Sequence, residues 1–206
     1  MGRTRNGRRT HVSSAAVASA AAALRRGEVV AVATDTVFGL VCDPRNPQAV
    51  RNVFELKGRG VSKPLQVLAA TVEQAHALIS LPSYARRLTK HWPGALTIVG
   101  RAKVQLAPGV GVCEHGSTTT LGVRVPSSPT VLQLLLAFGP LAATSANRSG
   151  QHEALRAADV RRTFRVGLAA ILGSDREVSS GVSSTVIDVT GVEPSVLRQG
   201  SVRVRA

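Results

Sequence analysis

The sequence predicts an α/β fold in one domain. Short β-branched and aliphatic runs alternate with helical stretches that start at capping residues, the pattern of layered α/β proteins. The 206 residues are 44% hydrophobic and 18% charged, enough apolar material for one sizeable core. No internal repeat, low-complexity linker or mid-chain shift in composition divides the chain. Aromatic residues make up only 3%, so that core must rest on Val, Leu, Ile and Ala.

Taken in order, residues 1–12 read as a disordered basic tail and residues 13–206 as the folded domain. Ser13 or Ser14 caps a first helix, whose Ala-rich run to Leu24 stops at Gly27. Residues 28–33 read as a buried strand, and Asn46-Pro47 supplies an N-cap and first-turn proline for a helix to Leu56. A strand over 65–70 leads to Thr71 and Gln74, a capping-box signature for the next helix. Ser83 opens a helix ending near His91, and strands follow over 95–101 and 121–125. Ser128-Pro129 starts a very apolar helix through Phe138, closed by Gly139. Strands over 141–144, 169–172, 185–189 and 195–197 complete the pattern.

The charge is lopsided: 26 Lys and Arg against 12 Asp and Glu give +14. Arg3, Arg5, Arg8 and Arg9 lie in the tail, and taking those four away still leaves +10. Such a field favours polyanions, whether nucleotide phosphates, RNA or an acidic membrane surface. Cys42 and Cys113 form no C-x-x-C pair, so both read as free thiols of a reducing cytosol rather than zinc or redox ligands. The acid-free first 26 residues share features with a signal or transit peptide. Their apolar stretch is mostly alanine and runs into Arg25-Arg26-Gly27, so a first helix is the expectation. No apolar run reaches the roughly 20 residues of a membrane span, so no membrane partner is expected and a cytoplasmic location is.

Several expected strand ends are followed at once by small hydroxyl, amide or basic residues. They are Thr34-Asp35-Thr36, Lys57-Gly58-Arg59, Lys63, the threonines at 118–120, Ser145-Ala146-Asn147 and Ser183-Ser184. Ligands bind at strand ends in open α/β sheets, where hydroxyls orient a polar substrate and Lys or Arg neutralise phosphate. Singly, each could be a cap or a turn. The P-loop, the Rossmann glycine fingerprint and the G-x-S-x-G elbow are absent, and the five His show no metal-ligand spacing. Cys113 and His115 sit too close in sequence, in a Gly-rich loop, to make a convincing nucleophile and base. Charge positioning is the chemistry that remains, with no protein-held metal.

In order and spacing these segments resemble the YrdC-type threonylcarbamoyl-AMP synthases. The likeness lies in Thr34-Asp35-Thr36-Val37-Phe38-Gly39-Leu40, Lys57-Gly58-Arg59 and Lys63-Pro64-Leu65. It continues in Trp92-Pro93-Gly94-Ala95-Leu96-Thr97 and Gly122-Val123-Arg124-Val125-Pro126. It runs on through Ser145-Ala146-Asn147-Arg148-Ser149-Gly150, Ser184-Thr185-Val186-Ile187-Asp188 and Leu197-Arg198-Gln199-Gly200. The resemblance implies a single-domain, twisted mixed sheet with flanking helices around a basic cavity. It implies a nucleotidyltransferase that makes threonylcarbamoyl-AMP and pyrophosphate from L-threonine, bicarbonate and ATP with Mg²⁺. A separate transferase complex would receive the product and load adenosine 37 of tRNA. By the same resemblance Lys57 and Arg59 are catalytic, and Arg59, Lys63, Thr120, Asn147 and Arg198 bind ATP. Thr36, Arg124, Ser145 and Ser184 would hold threonine, with Arg124 a natural fork for its carboxylate.

The chain departs from the family pattern at Phe38, Leu68, Leu155 and Ser183. Tyr is common at the first, a threonine-contacting His in some members at the second, Ser or Thr at the third and Pro at the fourth. Two other functions fit the same residues: an RNA-binding module gripping tRNA or double-stranded RNA by its phosphates, and a paralogue with another carbamoyl or carboxyl substrate.

Overall fold

The computed structural model describes residues 12–58, 60, 63–175 and 179–204. The chain opens with α1 (Ser14–Arg25), β1 (Val30–Val32), β2 (Gly39–Cys42) and α2 (Pro47–Lys57). Then come β3 (Gln66–Leu68), α3 (Val72–Leu78), β4 (Ile79–Ser80), a 3-10 helix (Ser83–His91) and β5 (Leu96–Ala102). The second half holds β6 (Val112–Glu114), β7 (Ser117–Arg124), α4 (Pro129–Phe138) and β8 (Leu141–Ser145). It ends with α5 (Ala157–Thr163), β9 (Ala170–Leu172), β10 (Thr185–Asp188) and β11 (Ser195–Arg198). The tail residues 1–11 lie outside the described residues.

Local chemistry accounts for most boundaries. Ser13 Oγ accepts from the Ala16 N–H at 3.2 Å, and Gly27, at φ 82°, turns the chain out of α1. Asn46 Oδ1 accepts from the N–H groups of Gln48 and Ala49, with Pro47 at the first turn. At α3 the expected reciprocal box is displaced by one residue. Thr71 Oγ1 accepts from the Gln74 N–H, but the Gln74 side chain accepts from Ala70 rather than from Thr71. Ser128 stands at the N-cap of α4 without capping it; its hydroxyl donates to the Ala33 carbonyl at 3.0 Å and ties the helix start to β1. The expected helix from Ser83 is 3-10 in geometry.

Four elements were not expected. The strands β4 and β6 are too short to show a period, and β2 is buried at every position, so it never alternates. Helix α5 starts at Arg156, an unusual cap, because the Asp159 carboxylate accepts from the Leu155 and Arg156 N–H groups instead.

One sheet joins the strands in the order β11-β10-β5-β7-β3-β8-β2-β1-β9, with β4 added to β5 and β6 to β7. It is mixed: β1 with β9, β3 with β7 and β5 with β10 run parallel, and the other pairs antiparallel. The coverage of its two faces decides where function can sit. One face carries α2, α3, the 3-10 helix and α5, which meet Ala31, Leu40, Val67, Ile98, Val123 and Ile187 in a continuous core. The other face carries α1 and α4, which pack on Val30, Val32, Val41, Leu68 and Leu172. These two helices cover only the β9-to-β3 half. Over β7, β5, β10 and β11 no helix among the described residues covers the same face, and Thr97, Val99, Thr120, Gly122, Arg124 and Val186 line a cavity there. Each of those residues alternates with a core residue on its own strand.

Candidate active site

The cavity measures about 520 Å³ and is walled by the sheet face that no described helix covers, by the loop after β8 and by the loop before β10. That volume is within the range of small-molecule sites. Three hydrogen-bonded clusters build it.

The first holds Arg124, which is 3% exposed. Its Nε donates to the Gly94 carbonyl at 2.9 Å and its Nη1 to Thr36 Oγ1 at 2.7 Å. Its Nη2 pairs with Asp35 Oδ2 at 2.7 Å, while Asp35 Oδ1 accepts from the Ser127 N–H. Burial pushes the guanidinium down from the usual arginine range; the Asp35 charge opposes that shift. Thr34 shapes the loop: its hydroxyl donates to Val37 O at 2.6 Å and accepts from the N–H groups of Thr36 and Val37. With the Thr34 proton spent there, the 3.0 Å contact between the two hydroxyls runs from Thr36 to Thr34. The loop before β10 crosses this one, with Ser179 Oγ donating to Thr34 O and the Gly181 N–H to Thr36 O.

The second cluster centres on Lys57, 2% exposed at the end of α2. Its ammonium donates to Ser145 O at 2.7 Å, to Asn147 O at 2.9 Å and to Asn147 Oδ1 at 2.9 Å. Its own carbonyl accepts from the Ser149 N–H. Ser145 Oγ donates to Asn147 Oδ1 at 2.7 Å, and Asn147 Nδ2 donates to Gln151 O at 2.7 Å. Gly58, in the left-handed region at φ 61°, ends the helix so that Lys57 can turn inward.

The third cluster joins three strands, β3, β5 and β11, to the loop before β10. Thr97 Oγ1 donates to Gln66 Oε1 at 2.8 Å, so in the 2.9 Å pair with Ser184 the serine is the donor. Arg198 Nε donates to Ser184 O and its Nη2 to Ser184 Oγ, both at 3.0 Å. Burial lowers the Arg198 pKa, and the charge of Glu153 opposes it. The Glu153 carboxylate accepts from Ser183 Oγ. Gly200 lies so close to the Ser183 and Thr185 backbones that a Cβ there would collide with both, which keeps β11 tight against Ser184.

The sequence and the fold match proteins already known. The Sua5/YciO/YrdC family, described as telomere recombination, matches residues 22–200. This chain belongs to that family. A threonylcarbamoyl-AMP synthase of Halorhodospira halophila is 41% identical over 159 residues, covering 76% of this chain and 81% of the relative. One from Bacillus subtilis is 37% identical over 190 residues, 90% of this chain but 54% of the relative. The crystal structure of Pyrococcus abyssi Sua5 complexed with L-threonine superposes with a TM-score of 0.81 at 35% identity. That match covers 92% of this chain and 55% of the Pyrococcus one, so this chain spans about half the length of these two longer relatives.

The family resemblance had singled out Thr36, Lys57, Lys63, Thr120, Arg124, Ser145, Asn147, Ser184 and Arg198, and all of them line the one cavity. Arg59 lies outside the described residues. Asp35, Gln66, Thr97, Glu153 and Asp188 were given no role from the sequence, yet the first anchors Arg124 and the other four line the cavity. Asp35, Thr97 and Asp188 fall within segments quoted for the resemblance, and for Thr97 the alternation Leu96-Thr97-Ile98 was a further signal, a polar residue at the outward position of an otherwise apolar strand. The departures from the family pattern fall mostly off the wall. Phe38 is fully buried in the core on the opposite face, and Leu68 packs with the α1 and α4 residues. Leu155 sits beside Gly181, and only Ser183 lines the cavity.

Proposed function

We propose that this protein is an L-threonylcarbamoyl-AMP synthase. The observation that carries the reading is the meeting of the three clusters in one basic cavity, with hydroxyls and guanidiniums but no activated nucleophile. The names of the relatives and the threonine complex of the Pyrococcus protein point the same way.

The reaction needs no covalent enzyme intermediate. The threonine amine takes up bicarbonate as a carbamate with loss of water, a carbamate oxygen attacks the α-phosphorus of ATP, and pyrophosphate leaves. Positioning and charge neutralisation supply the rate. Arg124 has five N–H donors, and the three that hold the 35–36 loop and Gly94 leave two for the threonine carboxylate. Thr36, Ser145 and Ser184 orient the amine and hydroxyl ends. Arg59, Lys63, Thr120, Asn147 and Arg198 serve the nucleotide, with Arg59 and Lys63 on the leaving pyrophosphate. Lys57 acts through the loop: by fixing Ser145 and Asn147 it sets both substrate halves at once.

Among the described residues no group of three or more His, Cys, Asp or Glu could hold a metal ion. In this reading Mg²⁺ arrives with the substrate, on the triphosphate oxygens. The product passes to a threonylcarbamoyl transferase complex, and the basic surface suits tRNA as a further partner. No helix among the described residues is long and apolar enough to cross a membrane. The test is direct. Purified protein with ATP, bicarbonate and Mg²⁺ releases pyrophosphate only when L-threonine is added. Equal release without an amino acid, or none at all, sinks the reading.

A further inference from the structure

Glu153 stands apart from the rest of the cavity wall. Its polar neighbours there are mostly cations and hydroxyls that can donate, whereas a carboxylate only accepts. Its two oxygens share a single proton from Ser183 Oγ, at 3.0 and 2.8 Å, which fixes the group and leaves most of its acceptor capacity open. The other carboxylate on the wall, Asp188, is already turned onto Thr190, whose N–H and hydroxyl both donate to its Oδ1 at 2.7 Å. The family resemblance assigns Glu153 no role, and Ser183 is itself one of the departures from the family pattern.

Its position narrows the ligand group it can meet. Ser183, which holds Glu153, precedes Ser184, and the Arg198 guanidinium donates to Ser184 O and Oγ, so Glu153 and Arg198 share one stretch of the wall. In the synthase reading Arg198 serves the nucleotide, and that assignment puts Glu153 within reach of the nucleotide. A carboxylate there repels phosphate, so it must face the uncharged part of the nucleotide. A ribose offers two neighbouring hydroxyls, a donor pair that matches the two oxygens of one carboxylate, as acidic residues do in dinucleotide sites.

We propose that Glu153, held by Ser183, accepts the ribose 2′ and 3′ hydroxyls of the nucleotide and makes the site select ribonucleotides. The inference rests on the synthase reading, and its test separates the two. Binding of ATP and 2′-deoxy-ATP is measured by calorimetry on wild type, Glu153→Ala, Glu153→Gln and Ser183→Ala, together with the threonine KM. Wild type is expected to prefer ATP by about tenfold or more, the scale of a hydrogen bond to a charged group. Glu153→Ala weakens ATP most, by the loss of both hydroxyl bonds, weakens 2′-deoxy-ATP less, by the loss of the 3′ bond alone, and leaves the two nucleotides with nearly equal affinity. Glu153→Gln, with one acceptor left, and Ser183→Ala, with a loosened carboxylate, keep part of the preference. Equal binding of both nucleotides by wild type overturns the proposal, as does an equal loss of both in Glu153→Ala. A raised threonine KM with the nucleotide preference intact overturns it too, since the carboxylate would then face the ammonium. Wild type that binds neither nucleotide refutes the synthase reading itself.

Discussion

Replacing Lys57 by methionine separates a loop clamp from a phosphate contact. Methionine keeps the length of the side chain and removes the ammonium, so Ser145 O, Asn147 O and Asn147 Oδ1 each lose a donor. Asn147 Oδ1 retains Ser145 Oγ at 2.7 Å and Ser145 O retains the Asn147 N–H at 3.0 Å, so Asn147 O is the acceptor that loses its charged partner without replacement. A buried acceptor left without a partner costs about 1–3 kcal/mol. The variant no longer dehydrates an ammonium, which returns part of that cost, so the net loss is about 1–2 kcal/mol. For a domain of this size the melting temperature then falls by about 2–8 °C. The affinity consequence is more diagnostic. Ser145 serves threonine and Asn147 serves ATP, so Lys57→Met weakens both ligands together. Lys63→Ala, at an exposed position, weakens ATP alone and leaves the melting temperature unchanged. Differential scanning fluorimetry and calorimetric titration of each substrate read both effects. A Lys57→Met protein with unchanged melting temperature and a loss confined to ATP would refute the clamp.

The remaining predictions concern Arg124 and the cysteines. Arg124→Lys keeps the charge but cannot serve Gly94 O, Thr36 Oγ1 and Asp35 at once, so the threonine KM rises about 10- to 100-fold while the ATP Kd stays nearly intact; steady-state kinetics with an unchanged threonine KM would remove Arg124 from the substrate site. Burial, aided by Asp43, pushes the Cys42 thiol up to about 12, whereas Cys113 is exposed. A disulfide-exchange reagent at pH 8 therefore titrates one thiol in the folded protein and two in guanidinium; two fast thiols in the folded state contradict the burial. Because the folded state holds the Cys42 proton more tightly than the unfolded chain, its contribution is complete below about pH 8 and is lost as pH rises toward 12. Relative to Cys42→Ala, wild type should lose about 2 kcal/mol between pH 8 and pH 10, read from chemical denaturation at each pH.

Much of the architecture was legible because it is written in local chemistry. Asn46-Pro47, Thr71 and Gly27 mark helix ends through hydrogen bonds and backbone freedom that depend on near neighbours alone. The residues that line the cavity were legible for a different reason: polar segments such as Thr34-Asp35-Thr36 and Ser145-Ala146-Asn147 sit at the ends of apolar strands, in a recognisable order. What failed was either too short to carry a period, as in β4 and β6, or capped from an unusual position, as in α5.

The sequence by itself determined the α/β class, most of the elements, and the set of hydroxyls and cations that a polyanionic ligand would need. Only the tertiary structure decided how those groups are used. Alternation along β5 and β7 says that Thr97 and Arg124 point away from Ile98 and Val123. It does not say whether a helix covers that face. The answer depends on α1 and α4 covering half of the sheet and stopping, a matter of long-range packing. The same holds for Lys57, whose ammonium is joined to Asn147, 90 residues later, and for Glu153, whose partner Ser183 lies 30 residues on. Contacts across such separations arise from the closing of the sheet, and no local pattern encodes them.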